Sequence, residues 1–362
     1  MIRLKKIDKV LLIAVIILIS FGILMVYSSS NVWALYKYGD AFKFFKSQLI
    51  FFLIGLIAIA ILKKIKPELY AKYANKLLFV CFVLLILVLI PGIGKVRNGS
   101  RSWFGIGPLG IQPSEFAKLG LIIFTAKYLA HNDNNIKSIR KGIIPLLLVI
   151  GMFFLLIMLE PDFGTAMVII LTLVVMIFIA GPNVSFFIKI GAVGLLGIVL
   201  LIIIAPYRMQ RIVSYLNPWS DPLGSGFQII QSLYAIGPTG LLGTGFGNSI
   251  QKNFYLPEPQ TDFIFSIICE EFGFLGALIV ISLFAIIFYR AIKIALNQKL
   301  LFRKYLGFGL AFGIILQALL NLCVVCGIIP TTGVTLPFLS YGGSSLLISM
   351  ISIGILLSIS KE

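Results

Sequence analysis

The chain has 362 residues, 59% of them hydrophobic and only 12% charged, with a formal net charge of +17. Water-soluble domains carry about a quarter charged residues, so this composition excludes an ordinary soluble globule and makes a bilayer the main solvent. The positive charge does not indicate nucleic acid. It falls in short clusters beside apolar runs, such as Lys63, Lys64, Lys66 and Arg290, Lys293, Lys299, Arg303, Lys304, where topology and anionic head groups account for it.

A bilayer core of roughly 30 Å takes about 20 apolar residues per helix. Such stretches predict spans near 9–27, 46–62, 77–91, 113–130, 143–159, 164–180, 186–205, 263–289, 305–326 and 340–360. The expected fold is an all-α integral membrane protein of about ten transmembrane helices, one polytopic membrane domain over 1–362. The first apolar run follows Arg3, Lys5, Lys6 and Lys9 as a signal peptide would, but no small-residue cleavage site follows cleanly, so it reads as the first helix. With the N-terminus in the cytoplasm, alternation puts 20 of the 30 Lys and Arg in cytoplasmic segments, 9 outside, and Lys118 within a span. That satisfies the positive-inside rule and places both termini in the cytoplasm. Cys81, Cys269, Cys323 and Cys326 lie in or near spans, without the second pair or histidine that a metal site would need.

Three segments on the outer side are rich in Gly, Pro and polar residues: 92–112, 206–262 and 327–339. The loop 206–262 runs to 57 residues, and loops of that length are functional or disordered. Aromatic residues Phe227, Tyr234, Phe246, Phe254 and Tyr255 interleave there with glycines, which predicts ordered, re-entrant or interfacial packing.

With only 13 acidic residues, each one at membrane depth is informative. In Gln112-Pro-Ser-Glu-Phe-Ala-Lys118, Pro113 suits a helix's first turn, and Glu115 and Lys118 share a face at i, i+3. They read either as a structural ion pair or as part of a cavity wall. In Glu160-Pro-Asp-Phe-Gly-Thr165, Asp162 reads either as the cap of the next helix or as a contact to substrate or cation. Tyr255-Leu-Pro-Glu-Pro-Gln-Thr-Asp262 precedes a span that itself holds Glu270 and Glu271, at least one of which is expected to face inward, paired or protonated. Asp262 there is an N-cap or, with Glu258 near it in sequence, a general base. The run Pro330–Ser345 is dense in hydroxyls and glycines. It serves close packing or, through Ser340, Tyr341, Ser344 and Ser345, forms a polar wall.

Together with Asn98-Gly-Ser-Arg-Ser-Trp103, Gly226-Phe-Gln-Ile-Ile-Gln-Ser232 and Pro337-Phe-Leu-Ser-Tyr-Gly-Gly-Ser-Ser345, these stretches resemble, over nearly the whole chain, the SEDS family (shape, elongation, division and sporulation proteins), glycosyltransferases that polymerise lipid II into peptidoglycan. Ile106–Ser114, Gln251–Glu258 and Pro330–Leu336 look more like the FtsW division branch than the RodA elongation branch. Gln260 departs from many relatives, which carry histidine there.

The resemblance implies attack of an acceptor GlcNAc 4-hydroxyl on the donor's anomeric carbon, with release of undecaprenyl pyrophosphate. Asp262 matches the family's catalytic aspartate. His131, in a cytoplasmic loop, is the only histidine, so the base on the outer side is a carboxylate. Arg101, Arg208, Arg211 or a divalent cation (Mg2+ or Mn2+) is expected to stabilise the pyrophosphate, with no organic cofactor. Glu115, Lys118, Asp162, Gln228, Gln231, Glu258, Ser340, Tyr341 and Ser344 complete the candidate substrate site. The implied partners are lipid II, a class B penicillin-binding protein transpeptidase, other division or elongation complex proteins and membrane lipids, with no nucleic acid, at the cytoplasmic (inner) membrane. The rivals are a lipid II flippase and a scaffold that only recruits the transpeptidase. A transporter places its decisive polar groups near the bilayer midplane, whereas here they gather at outer helix ends.

Overall fold

The computed structural model describes residues 7–361 other than 98, 107, 108, 137 and 205, without the side chains of 106, 109, 193, 198, 201, 202, 204, 206–208 and 211. Each of the ten apolar stretches is helical: α1 (Lys9–Tyr38), α2 (Lys43–Leu62), α3 (Pro67–Leu89), α4 (Pro113–His131), α5 (Ile144–Leu159), α6 (Phe163–Ile179), α7 (Val184–Ile204), α10 (Ile264–Leu296), α11 (Leu301–Val325) and α12 (Gly343–Ser360). Two short helices, α8 (Pro206–Leu216) and α9 (Phe227–Ile236), lie between α7 and α10. By length and composition, α1, α2, α3, α5 with its preceding π turn, α10, α11 and α12 suffice to cross a membrane, and α6 and the first part of α7 are shorter apolar helices. Outward side chains such as Leu148, Leu155 and Ile188 are exposed, as suits lipid contact.

Sequence chemistry sets several helix ends. Asp8 caps α1 by accepting from Leu11 N, Gly39 ends it at φ 71°, and Pro67 and Pro113 open α3 and α4. α1 runs well past the expected span end at residue 27 because its Ser28–Ser30 stretch finds partners inside the bundle. Ser30 Oγ bonds back to Val26 O at 2.6 Å, and Ser28 reaches α10. α3 begins ten residues before the expected 77, its exposed Lys72 and Lys76 marking the interfacial turns.

The segment 92–112 is the departure from an all-helical chain. β1 (Gly94–Arg97), β2 (Ser100–Ile106) and β3 (Leu109–Ile111) form an antiparallel sheet in that order, with Lys95 opposite Trp103 and Phe104 opposite Ile111.

Long-range polar contacts sort the helix ends into two faces. Arg290 with Asp8, Arg303 with Glu68, and Tyr305 with Asp133 bring together the starts of α1, α3 and α11 and the ends of α4 and α10. The starts of α4, α6, α10 and α12 meet at the other face, which holds the candidate site.

Candidate active site

The segment 330–345, between α11 and α12, ties three carboxylate-bearing elements together. Ser340 Oγ donates to Thr261 O at 2.6 Å, Tyr341 N donates to Gln260 O at 2.8 Å, and Asn321 of α11 donates to both Asp262 O and Val334 O at 2.7 Å. The backbone on both sides of Asp262 is therefore held by named donors. Asp262 itself is half-buried in the turn before α10, and Phe263 occupies the N-cap position. The N-cap reading of Asp262 is thus corrected: the prolines at 257 and 259 leave a run of turns that carries the chain one residue further before helical geometry begins. Gly333 faces the Asp262 carboxylate at φ +76°, and a Cβ added there would lie 3.8 Å from Oδ2.

On the far side of the same segment, Lys118 Nζ lies 2.6 Å from Glu115 Oε2 and 2.6 Å from Gln317 Oε1, and all three side chains are buried. The Gln317 amide donates onward to Thr335 O and Ser345 Oγ, both at 3.1 Å. Ser344 Oγ accepts from Gln112 N at 3.0 Å, and Gln112 Nε2 donates to Asp162 Oδ2 at 2.8 Å. Asp162 also accepts from Ser114 Oγ at 3.3 Å and caps α6 through Thr165 N at 3.2 Å. Burial raises its pKa, Thr165 and Ser114 oppose that, and the Glu115 charge adds to it.

Next to Asp162, in the turn outside both flanking spans, Glu160 is fully buried and neither carboxyl oxygen has a hydrogen-bond partner. Burial, with the Asp162 charge as a second cause, pushes its pKa up to about 9, so it is a neutral acid at pH 7. Its backbone carbonyl accepts from Ser100 Oγ of β2, which pins the small sheet to this turn.

A second buried assembly holds the loop that leads to Asp262. α10 breaks at Gly273 (φ 61°, ψ −157°), and the freed backbone groups pair with the loop. Thr244 N and Gly245 N donate to Glu270 O and Glu271 O at 2.9 Å, while Phe274 N and Leu275 N donate to Gly240 O and Leu241 O. This close crossing needs glycine on both sides: a Cβ on Gly243 would sit 2.5 Å from Gly273 N, and one on Gly273 2.5 Å from Gly243 N. The Glu270 carboxylate accepts from Ser249 Oγ and from Ile250 N at 2.8 Å. Glu271 is bonded by Ser28 Oγ of α1 at 2.6 Å and by Lys252 Nζ at 3.0 Å.

Residues 8–362 match the family model FTSW_RODA_SPOVE, described as cell cycle protein. The chain belongs to this family. Stage V sporulation protein E of Bacillus subtilis (strain 168) is 51% identical over 98% of this chain and 97% of its own length. A probable peptidoglycan glycosyltransferase FtsW of Geobacter sp. (strain M18) is 41% identical over 99% and 98%. Among solved structures, one reported under "Structural coordination of polymerization and crosslinking by a peptidoglycan synthase complex" aligns with a TM-score of 0.80 at 30% identity, covering 98% of this chain and 97% of that one. The rod shape determining protein RodA of Thermus thermophilus aligns at 0.73 and 28%, covering 98% and 96%.

In this FtsW/RodA/SpoVE chain, Glu115, Lys118, Asp162, Ser340, Tyr341 and Ser344 fall in the network around the turn that carries Asp262. Glu258 is half-buried in that turn, and its backbone carbonyl accepts from Thr261 Oγ1 at 2.8 Å. Arg101 stands apart on β2, reaching Leu89 O at 3.4 Å. Gln228 is exposed and Gln231 half-buried on α9. The side chains of Arg208 and Arg211 lie outside the described residues. Sequence reading gave no role to Lys252, Ser28, Gln317 or Asn321. Lys252 had a signal: Glu270 and Glu271 at membrane depth call for a cation, and the 206–262 loop supplies only Arg208, Arg211 and Lys252.

Proposed function

We infer that this membrane-embedded chain is a peptidoglycan glycosyltransferase of the division type, joining lipid II units into glycan strands on the outer face of the cytoplasmic membrane, with both termini in the cytoplasm. The observation that carries it is the continuous polar network from Glu115 and Lys118, through Gln317 and the 330–345 segment, to the turn bearing Asp262. A family resemblance alone supplies residue types; the network brings those residues to one place at one membrane face.

In the reaction, the acceptor 4-hydroxyl oxygen bonds to the donor's anomeric carbon as the bond from that carbon to the pyrophosphate oxygen breaks. Asp262 takes the hydroxyl proton, and undecaprenyl pyrophosphate departs with the bonding pair. Lys118 is the buried cation nearest in the network, but Glu115 neutralises it, so its part is to orient Gln317 and the segment behind Asp262. Arg101, Arg208, Arg211 or a divalent cation would balance the charge of the departing pyrophosphate. Among the described residues no three His, Cys, Asp or Glu side chains are gathered to hold a metal ion. Among those residues there is no preformed three-ligand cage for Mg2+ or Mn2+.

The similarity to a structure of a peptidoglycan synthase complex supports assembly with a cross-linking partner, which we assign to a class B penicillin-binding protein. The test is polymerisation of purified lipid II by the purified protein, alone and with that transpeptidase. Glycan product from the parent and none from Asp262→Asn is expected; equal product from both overturns the reading. The 51% identity to a stage V sporulation protein favours one second reading, the same chemistry deployed during sporulation. Deletion in the native cell separates the two, by filamentation or by defective spores.

A further inference from the structure

At the end of α10 remote from Asp262, the start of α1, the last turns of α10 and the final residue of α12 line an open cavity of about 450 Å³. Its walls include Asp8, Lys9, Arg290, Lys293, Asn297 and Ser360. The single carboxylate among the described lining residues is already committed, since Asp8 accepts from Arg290 Nε at 2.9 Å and caps α1 through Leu11 N at 2.9 Å. Lys9 and Lys293 are exposed and have no acidic partner among the described residues. Two helix C-termini and one N-terminus border the cavity, and at about half a charge each they leave a net charge of roughly +1.5. That is an incomplete site for one singly charged anion.

The surfaces above the cavity are apolar. One turn along α1 from Lys9 lies Ile13, 57% exposed, and one and two turns back along α10 from Lys293 lie Tyr289, 61% exposed, and Ile286, 40% exposed. Residues at this spacing share a helix face, so both lysines sit at the foot of exposed apolar stripes. A soluble anion makes no use of those stripes, whereas a lipid uses both parts. Basic pockets between helices at this level of a membrane protein suit acidic lipid head groups.

We propose that this cavity binds the phosphodiester head group of an anionic phospholipid, the phosphate between Lys9 and Lys293 and the acyl chains along Ile13, Ile286 and Tyr289. The inference rests on the membrane-spanning fold and is independent of the glycosyl transfer reading.

Native mass spectrometry of the full-length detergent-purified protein tests it, with phosphatidylglycerol, phosphatidylcholine or the soluble head group glycerophosphoglycerol added. Phosphatidylglycerol is expected to remain bound to the parent, and its affinity to fall about thirtyfold in Lys9→Gln/Lys293→Gln, about a factor of five for each cation. Both side chains are exposed, so the variant retains its fold, and its parental melting temperature in lipid-free detergent checks this. Equal retention of phosphatidylglycerol by parent and variant, or of phosphatidylcholine and phosphatidylglycerol by the parent, overturns the proposal. If glycerophosphoglycerol binds as tightly as the lipid, the site belongs to a free phosphate ester and the lipid assignment fails. Lipid II polymerisation is assayed separately and its loss would not bear on this site.

Discussion

Replacing Lys252 with Met removes the cation from the buried assembly that holds the loop before Asp262 while keeping most of the side-chain volume. The side chains of Lys252 and Glu271 are 4% and 0% exposed, so water cannot take the ammonium's place. In the variant Glu271 keeps Ser28 Oγ and a long contact from Ser249 N at 3.4 Å, and Gly247 O loses its donor. Stranding one partner of a buried pair costs on the order of 3–5 kcal/mol. At about 2 °C per kcal/mol for a chain of this size, the melting temperature should drop by about 6–10 °C. Lys252→Met/Glu271→Gln should recover much of that loss, because no charge remains buried alone. Activity provides the second readout: Lys252→Met is expected to lower the polymerisation rate at temperatures where it is still folded, since the loop it anchors leads directly to Asp262. The assay is thermal unfolding in detergent followed by size-exclusion, with lipid II polymerisation alongside. If Lys252→Met melts within about 1 °C of the parent, the pair does not hold the loop and the argument fails.

Asp262→Asn should fold and melt normally, since asparagine keeps the size and most of the hydrogen-bonding capacity of aspartate, and should lose about 10²–10⁴-fold in polymerisation; a rate above about a tenth of parental refutes the general base. Lys118→Ala should cost about 3–5 kcal/mol by stranding Glu115, with Glu115→Gln milder, and parental melting temperatures for both would show that the pair contributes nothing. Glu160 is protonated when folded, with a pKa of about 9 against 4.5 unfolded, so its stabilising effect is full below pH 4.5 and lost as pH rises toward 9. Between pH 5.5 and 8 that amounts to about 3 kcal/mol; melting should fall across this range in the parent and stay nearly flat in Glu160→Gln, and parallel curves would contradict the assignment.

Apolar run length was enough to read the membrane fold, because a helix crossing hydrocarbon must satisfy its backbone locally and leaves a run of about 20 apolar residues. Pro113 and Asp162 likewise announced the ends they make, since capping depends on neighbours three residues away. The sheet at 94–111 was not read from the sequence, because short exposed strands rich in glycine carry little alternation. What the tertiary structure alone decided is pairing. Glu271 meets Lys252 and Ser28, Lys118 meets Gln317 across 199 residues of chain, and Asn321 holds Asp262 from another helix. Such contacts have no period along the chain, so no local pattern predicts which carboxylate finds which donor. The break at Gly273 belongs to the same class, because a glycine among apolar residues reads as helix until a second backbone crosses it, with Gly240 O and Leu241 O there to accept from Phe274 N and Leu275 N.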